Sequence, residues 1–402
     1  MQTIARLFQS NRAATAAEVA RRSRRATIAA LAGLVGGLSL LPLSGFGAEP
    51  DSGSSPAGRL NDTGQTLCVN WVGKQYRLTP ECKGTWQDGE FGRDARFPSD
   101  ANGHAGFSFV KIGSHGEALP PDAPAWDCVR DRVTGLTWEN KTHDGGLHDV
   151  NALFTNQRNG QIGDASAFVA AVNAAGWCGV SDWQLPSRPD LESLVDFSVA
   201  EGGPMIDTHW FPDTAAALHW TASSSAKNGG GPDYWWAVNY YGGTSIWYGG
   251  EYGQFAVRLV RRHKPPQGVR WATQGGEVLD NFTHLVWRRC TEGQTWTGAT
   301  CSGAAAVFLT ASDAMDHAKA EATAARKPWR APNVKELSSL VDTRTQHPFV
   351  DPVIFPRFPG GVLHTGTPWT ENQAYSWRVA FYDGGVRLDF WGGSLLLVRD
   401  AD

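Results

Sequence analysis

The sequence predicts an α+β fold built as two tandem domains, each with two helices packed on a small antiparallel sheet. Three observations carry this. "WQLPSRPDLESLVD" at 183–196 returns as "WRAPNVKELSSLVD" at 329–342, with seven of fourteen positions identical. The flanks return in the same order. "TGLTW" (134–138) and "THLVW" (283–287) precede the copies, and Asp-x-x-x-Phe-Pro follows them at 207–212 and 351–356. Further on, Trp220-Thr221 and Trp369-Thr370, "YWWAV" (234–238) and "YSWRV" (375–379), and a Gly pair (Gly242-Gly243, Gly384-Gly385) recur. "LVR" closes both units at 259–261 and 397–399. Two copies read as two domains, 126–262 and 273–402, and not as a solenoid. "RRHKPPQG" (261–268), basic and then Pro-rich, places a linker at 263–272.

Each element has a local cause. "TGLTW" has the β-branched and aromatic content of a short strand. "DASAFVAAVNAAGW" puts Phe168, Val169 and Val172 on one helical face behind Asp164 as N-cap. "SDAMDHAKAEA" is the matching helix of the second unit, with Ser312 as the expected cap. The repeated stretch is a second helix. Ser187-x-x-Asp190 and Asn333-x-x-Glu336 have capping-box form, which satisfies amides of the first turn. Pro189 sits early, where a missing N–H costs little. Leu191, Leu194 and Val195 then bury one stripe. After the Phe-Pro, short alternating runs such as "YWWAVNYY", "TSIWYGG" and "FAVRLVR" read as antiparallel strands and tight turns. Strand, helix, helix, long loop and closing strands, with first and last strands adjacent, is the order of a C-type-lectin-like domain.

Residues 1–48 have the layout of a secretory signal: a basic cluster at Arg21, Arg22, Arg24 and Arg25, an uncharged Ala/Gly/Leu stretch, then small residues at Gly47 and Ala48. Their rival reading is a retained anchor, although Gly and Pro42 dilute the apolar stretch. Residues 1–47 carry six Arg and one Glu. Without them 30 Lys+Arg face 39 Asp+Glu, a formal charge of −9. No basic stripe remains, which excludes nucleic acid as the expected partner. No later segment is long and apolar enough to span a membrane, and the sequence leaves the oligomeric state open. Residues 49–125 form a Gly/Pro-rich N-terminal segment. All six Cys follow the signal, an even count that reads as disulfides in an oxidising compartment, with metal ligation as the alternative. Six cysteines allow 15 connectivities. Proximity pairs Cys68 with Cys82, Cys128 with Cys178 and Cys290 with Cys301.

"CVRDRVTGLTWENKT", "GWCGVSDWQLPSRPDLESLVD", "IDTHWFP", "YWWAV" and the closing "VRLVR" resemble the Lcl C-terminal domain family, named after the C-terminal domain of a bacterial collagen-like adhesin. The likeness covers the first unit almost completely and the second more loosely. "LNDTGQTLCVNW" and "WQDGEFGRDARF" resemble segments that precede this domain in exported bacterial proteins. The resemblance implies a C-type-lectin-like fold at the cell surface or in the periplasm. In the adhesin the domain is similar in role to a glycan-binding, trimerising head. This chain departs from it in having no Gly-X-Y tract and an acidic mature charge, which argues against heparin-like ligands.

Motifs for catalysis are sparse. No nucleophile elbow, H-E-x-x-H, Walker loop or complete dinucleotide fingerprint occurs, and no cofactor or metal is expected. His143, Asp144, His148 and Asp149 cluster in "THDGGLHD", as metal ligands or as a polar loop, and the loop is favoured. Asp131, Glu139, Asp196 and Asp342 leave room for a carboxylate-pair hydrolase of the envelope, and the paired Cys argue against formylglycine-generating oxidase chemistry. The remaining candidate surface is aromatic: Trp235, Tyr240, Tyr241, Trp247 and Tyr248 in the first unit, Tyr382 and Trp391 (beside Phe390) in the second. Aromatic faces with polar tips suit sugar rings, and the same rings also pack small sheets. The expectation is an exported, disulfide-stabilised binding protein for a glycan or surface ligand, more a binder than an enzyme, with a purely architectural envelope role as a third reading.

Overall fold

The computed structural model describes residues 60–72, 75–226, 233–263, 267–388 and 391–401, which all belong to one compact unit. The expected signal segment lies outside them. The architecture is α+β, with several small antiparallel sheets and few helices.

Each repeat owns a four-stranded antiparallel sheet. In the first, the spatial order is Phe109–Ile112, Cys128–Asp131, Leu136–Glu139 and Val260–Arg262. In the second it is Trp271–Gln274, Glu277–Asp280, Leu285–Arg288 and Val398–Asp400. The closing "LVR" strand therefore pairs with the "TGLTW"-type strand in both repeats. Each repeat adds a three-stranded sheet: Leu218–Ser224, Tyr234–Asn239 and Ser245–Gly249, then Val362–Pro368, Ser376–Ala380 and Val386–Leu388.

The first helix of the first repeat, Ala165–Ala175, is capped by Asp164, which accepts from the Ser166 amide, and ends at left-handed Gly176. Its counterpart, Ala311–Ala325, begins two residues earlier than expected. Thr310 is the cap and Asp313 returns the bond, whereas the residue three after Ser312 is Met315, which cannot reciprocate. The short second helices, Arg188–Ser193 and Val334–Ser338, both have complete capping boxes, from Ser187 with Asp190 and from Asn333 with Glu336.

Register also corrects one sequence match. Thr221 Oγ1 donates to Trp236 O, and Thr365 Oγ1 donates to Trp377 O. The structural counterpart of Trp220 is thus His364, not Trp369. Trp220 Nε1 bonds Phe154 O just as His364 Nε2 meets Phe308 O. Two chemically different rings hold the same joint, which hides the equivalence from side-chain identity.

The two repeats share one core, organised about a local two-fold. Glu192 and Ser338 occupy equivalent positions in the repeated stretch and touch each other, Ser338 Oγ donating to Glu192 at 2.6 Å. Trp236 and Trp377 are equivalent too, and each ring lies against the other repeat's Gly turn. A Cβ on Gly384 would stand 3.0 Å from Trp236 Cη2, and one on Gly243 would stand 3.0 Å from Trp377 Cη2. Both glycines have positive φ, +79° and +60°, so they serve the turn and the close approach together. The repeated stretch thus builds the seam between repeats as well as each repeat's own helix.

Disulfides join Cys68 to Cys82, Cys128 to Cys178 and Cys290 to Cys301, and no described cysteine is free. The first ties the N-terminal hairpin Cys68–Val72/Gln75–Thr79 to the loop after it.

Candidate functional site

Strand alternation sorts the aromatic residues onto two faces. In the first repeat Trp236 pairs with Trp247 and Trp235 pairs with Tyr248. Trp236 is fully buried in the shared core, so Trp247 turns to that side and packs half-buried against it. Tyr248 turns outward and is 42% exposed. Trp235 and Tyr240, both candidates from the sequence, are buried. Tyr240 has no exposed surface and its hydroxyl donates to Leu191 O at 3.0 Å, which makes it a strut between sheet and helix. Burial of this kind removes Trp235 and Tyr240 from any direct contact surface, and Trp247 packs half-buried on the core side.

A coherent outer patch remains. The Arg158 guanidinium lies 3.6 Å from the Trp235 ring centroid and donates to Ala222 O. Tyr248 meets Phe255 edge-on at 5.4 Å, and Phe255 in turn packs on Trp220 at 4.4 Å. Tyr252, not singled out from the sequence, is 74% exposed, and its ring covers Gly249, where a Cβ would come within 2.8 Å. The signal that could have found it is "YGGEYG" itself, because the glycines clear space for the ring. Tyr241 is exposed but belongs to the Gly turn at the other end of the strand pair. In the second repeat Tyr382 is exposed beside Arg387, and Trp391 is exposed, each away from this patch along the chain's second copy. Phe390 lies outside the described residues.

Apart from His143, which is exposed, the polar candidates are committed locally. His148 is buried: Nδ1 sits 2.7 Å from Glu139, and the ring stacks on Trp177 at 3.8 Å. Asp144 and Asp149 accept turn amides from Gly146 and Gly145. Glu139 also receives Lys141 Nζ and the Leu259 amide, and Asp131 receives Val133 N, Thr134 Oγ1 and Asn61 Nδ2. Asp196 accepts from Ser198, and Asp342 pairs with Arg344. Glu292, His317 and Glu321 could also converge on an ion, but Arg288 donates to both glutamates.

A second convergence was not anticipated. Asp62, Asp88 and Asp94, all buried, bring carboxylate oxygens within 4.8 Å of one another. Asp62 accepts from Thr63 N, Asp94 N and Asn333 Nδ2, and Asp88 accepts 2.7 Å bonds from Thr63 Oγ1 and Thr367 Oγ1. Lys335 Nζ binds the carbonyls of Asp62 and Ser193. This hub fastens the N-terminal segment to both repeats. The three aspartates are scattered over 33 positions in sequence, so no local motif announces them.

Burial, reinforced by Asp62, pushes the Asp88 carboxyl up to about 8, and burial with Asp62 and Asp88 pushes Asp94 up to about 11. Folding therefore takes up protons at these sites. Their contribution to stability is complete below the unfolded value of 3.8 and declines as pH rises through about 8. Amide exchange in 82–97 should accordingly accelerate from pH 5 to 8 beyond the intrinsic base catalysis, and Asp88→Asn should flatten that excess. A slope of opposite sign would contradict the assignment.

A family model, the Lcl C-terminal domain, matches residues 127–261 and again 276–399. No curated protein matches the chain. Among the described residues no helix is long and apolar enough to cross a membrane.

Proposed function

The chain belongs to the Lcl C-terminal domain family, and we propose that it is an exported envelope protein that binds a glycan or surface ligand on a C-type-lectin-like scaffold. The contact surface in this reading is the outer patch of the first repeat: Tyr248, Tyr252 and the exposed Arg158, which the buried Trp235 ring supports from beneath. One observation carries it. Two tyrosines stand 42% and 74% exposed beside a sheet whose Trp220, Trp235 and Trp236 rings are buried. Such rings present an apolar face and a hydroxyl edge at little entropic cost, which suits a sugar. Three disulfides fit an oxidising compartment. A hydrolase reading has less support, because Asp131, Glu139, Asp196 and Asp342 are each engaged by separate local donors.

The test is a broad glycan array probed with the full chain, with and without calcium. The reading expects a defined glycan class whose binding falls at least about tenfold, 1.4 kcal/mol, in Tyr248→Ala and Tyr252→Ala and is unchanged in Tyr241→Ala. Binding indifferent to the first two substitutions would place the surface elsewhere. Absence of binding to every glycan would overturn the carbohydrate reading.

A further inference from the structure

We propose a second carbohydrate site: the cleft between the N-terminal hairpin and the first two turns of the helix Ala311–Ala325, which takes a single uncharged pyranose ring at the end of a glycan. The inference rests on the reading of the chain as a glycan binder and goes beyond it to a different surface and a sugar class.

The cleft has about 120 Å³ of room. Sites for drug-sized ligands run to about 300–1,000 Å³, so this one admits one ring and not an oligosaccharide. It shares Gln87 and Asp316 with a wider trough of about 980 Å³, into which the rest of a chain could run. Its lining pairs apolar with polar groups in the manner of a sugar site. Tyr76 and Tyr375 supply aromatic surface and Met315 adds an apolar wall, while Gln373, Asp316 and Ser376 supply hydrogen-bonding groups. Ser376 is the independent pointer. It lines the cleft, is only 3% exposed, and its Oγ has no hydrogen-bond partner. A buried hydroxyl in that condition loses stability that a ligand hydroxyl would recover.

Charge selects the class. Asp316 is the one ionisable acid or base of Asp, Glu, Lys, Arg or His type in the lining, and the trough adds Glu81 and Glu90 against Lys83. An anionic or sulfated sugar would meet repulsion there, whereas a carboxylate accepts readily from neutral sugar hydroxyls. The wall from the second-repeat strand Val362–Pro368 is held in place by the aspartate hub, since Thr367, one residue beyond Gly366 in the cleft, donates to Asp88. The site therefore belongs to the N-terminal segment and the second repeat jointly.

The test titrates the full chain, with its methionine methyl groups isotope-labelled, with methyl glucoside, methyl N-acetylglucosaminide and glucuronate. The three methionines make the Met315 methyl signal a local reporter. Expected are a shift of that signal with a neutral glycoside and not with glucuronate, and a loss of at least tenfold in the affinity read at that signal in Tyr375→Ala and Asp316→Asn. Thermal unfolding of each variant checks that the fold is kept. Should Tyr375→Ala unfold the chain, Asp316→Asn, at an exposed position of the second helical turn, carries the test. Glycoside binding that leaves Met315 unmoved, or array binding retained with no glycoside effect at Met315, would overturn the cleft while leaving the first-repeat reading standing. Failure of both array and glycosides would overturn both.

Discussion

Replacing Trp236 or Trp377 with Ala is expected to lower the stability of the chain by about 3–5 kcal/mol, the cost of deleting a buried indole and leaving a cavity. The two rings do the same work from opposite sides. Trp236 is fully buried, faces Phe349 edge-on at 6.4 Å, and carries the Arg188 guanidinium 4.6 Å above it. Trp377 is 1% exposed and meets Phe197 edge-on at 4.9 Å. Each closes on a glycine of the other repeat, which has no side chain to swing in and fill the space. Neither indole N–H has a partner, so Trp→Phe should cost less than Trp→Ala. Gly384→Ala should also destabilise, because its Cβ would crowd Trp236 and its φ of +79° is strained for an L side chain. Denaturant midpoints measure each of these.

The second large effect is expected at Arg188. Its Nε donates to Glu192 at 2.7 Å and its Nη2 to Ser338 Oγ at 2.7 Å, in a site where all three residues are buried. Arg188→Ala strips the cation and leaves the Glu192 carboxylate with Ser338 as its remaining side-chain donor. Breaking a buried pair in this way costs about 3–5 kcal/mol. Arg188→Met combined with Glu192→Gln removes both charges and should regain most of that loss. Ser338→Ala should cost about 1 kcal/mol, the worth of one hydrogen bond. A double substitution as damaging as Arg188→Ala alone would mean that packing on Trp236, not charge, is what Arg188 contributes.

Much of the scaffold was legible because it is written in short-range chemistry. The capping boxes, the Asp164 cap and the alternating strands follow from residues within four positions of one another. Even the Thr310 cap was available, since Asp313 is the only acid three positions after a hydroxyl there. What stayed hidden depends on distant partners. Alternation told that half the aromatic residues face inward, but which half requires knowing that the Trp236 face meets the other repeat. Tyr240 reads like surface beside Tyr241 until its hydroxyl is seen on Leu191 O. The aspartate hub joins positions up to 273 residues apart, from Asp62 to Lys335, and the Glu192–Ser338 contact spans 146. The repeat revealed two copies and concealed that their shared sentence is where the copies meet.

That meeting is the central claim: the repeats stabilise one another as a single cooperative structure. Hydrogen exchange on Trp236→Ala tests it most directly, because the substitution lies in the first repeat and the readout can be taken in the second. The account predicts that amides of Val362–Pro368 and Ser376–Ala380 lose protection by as much as those of Leu218–Ser224 and Tyr234–Asn239. Loss of protection confined to the first repeat, with the second unchanged, would contradict it and return the repeats to independent domains.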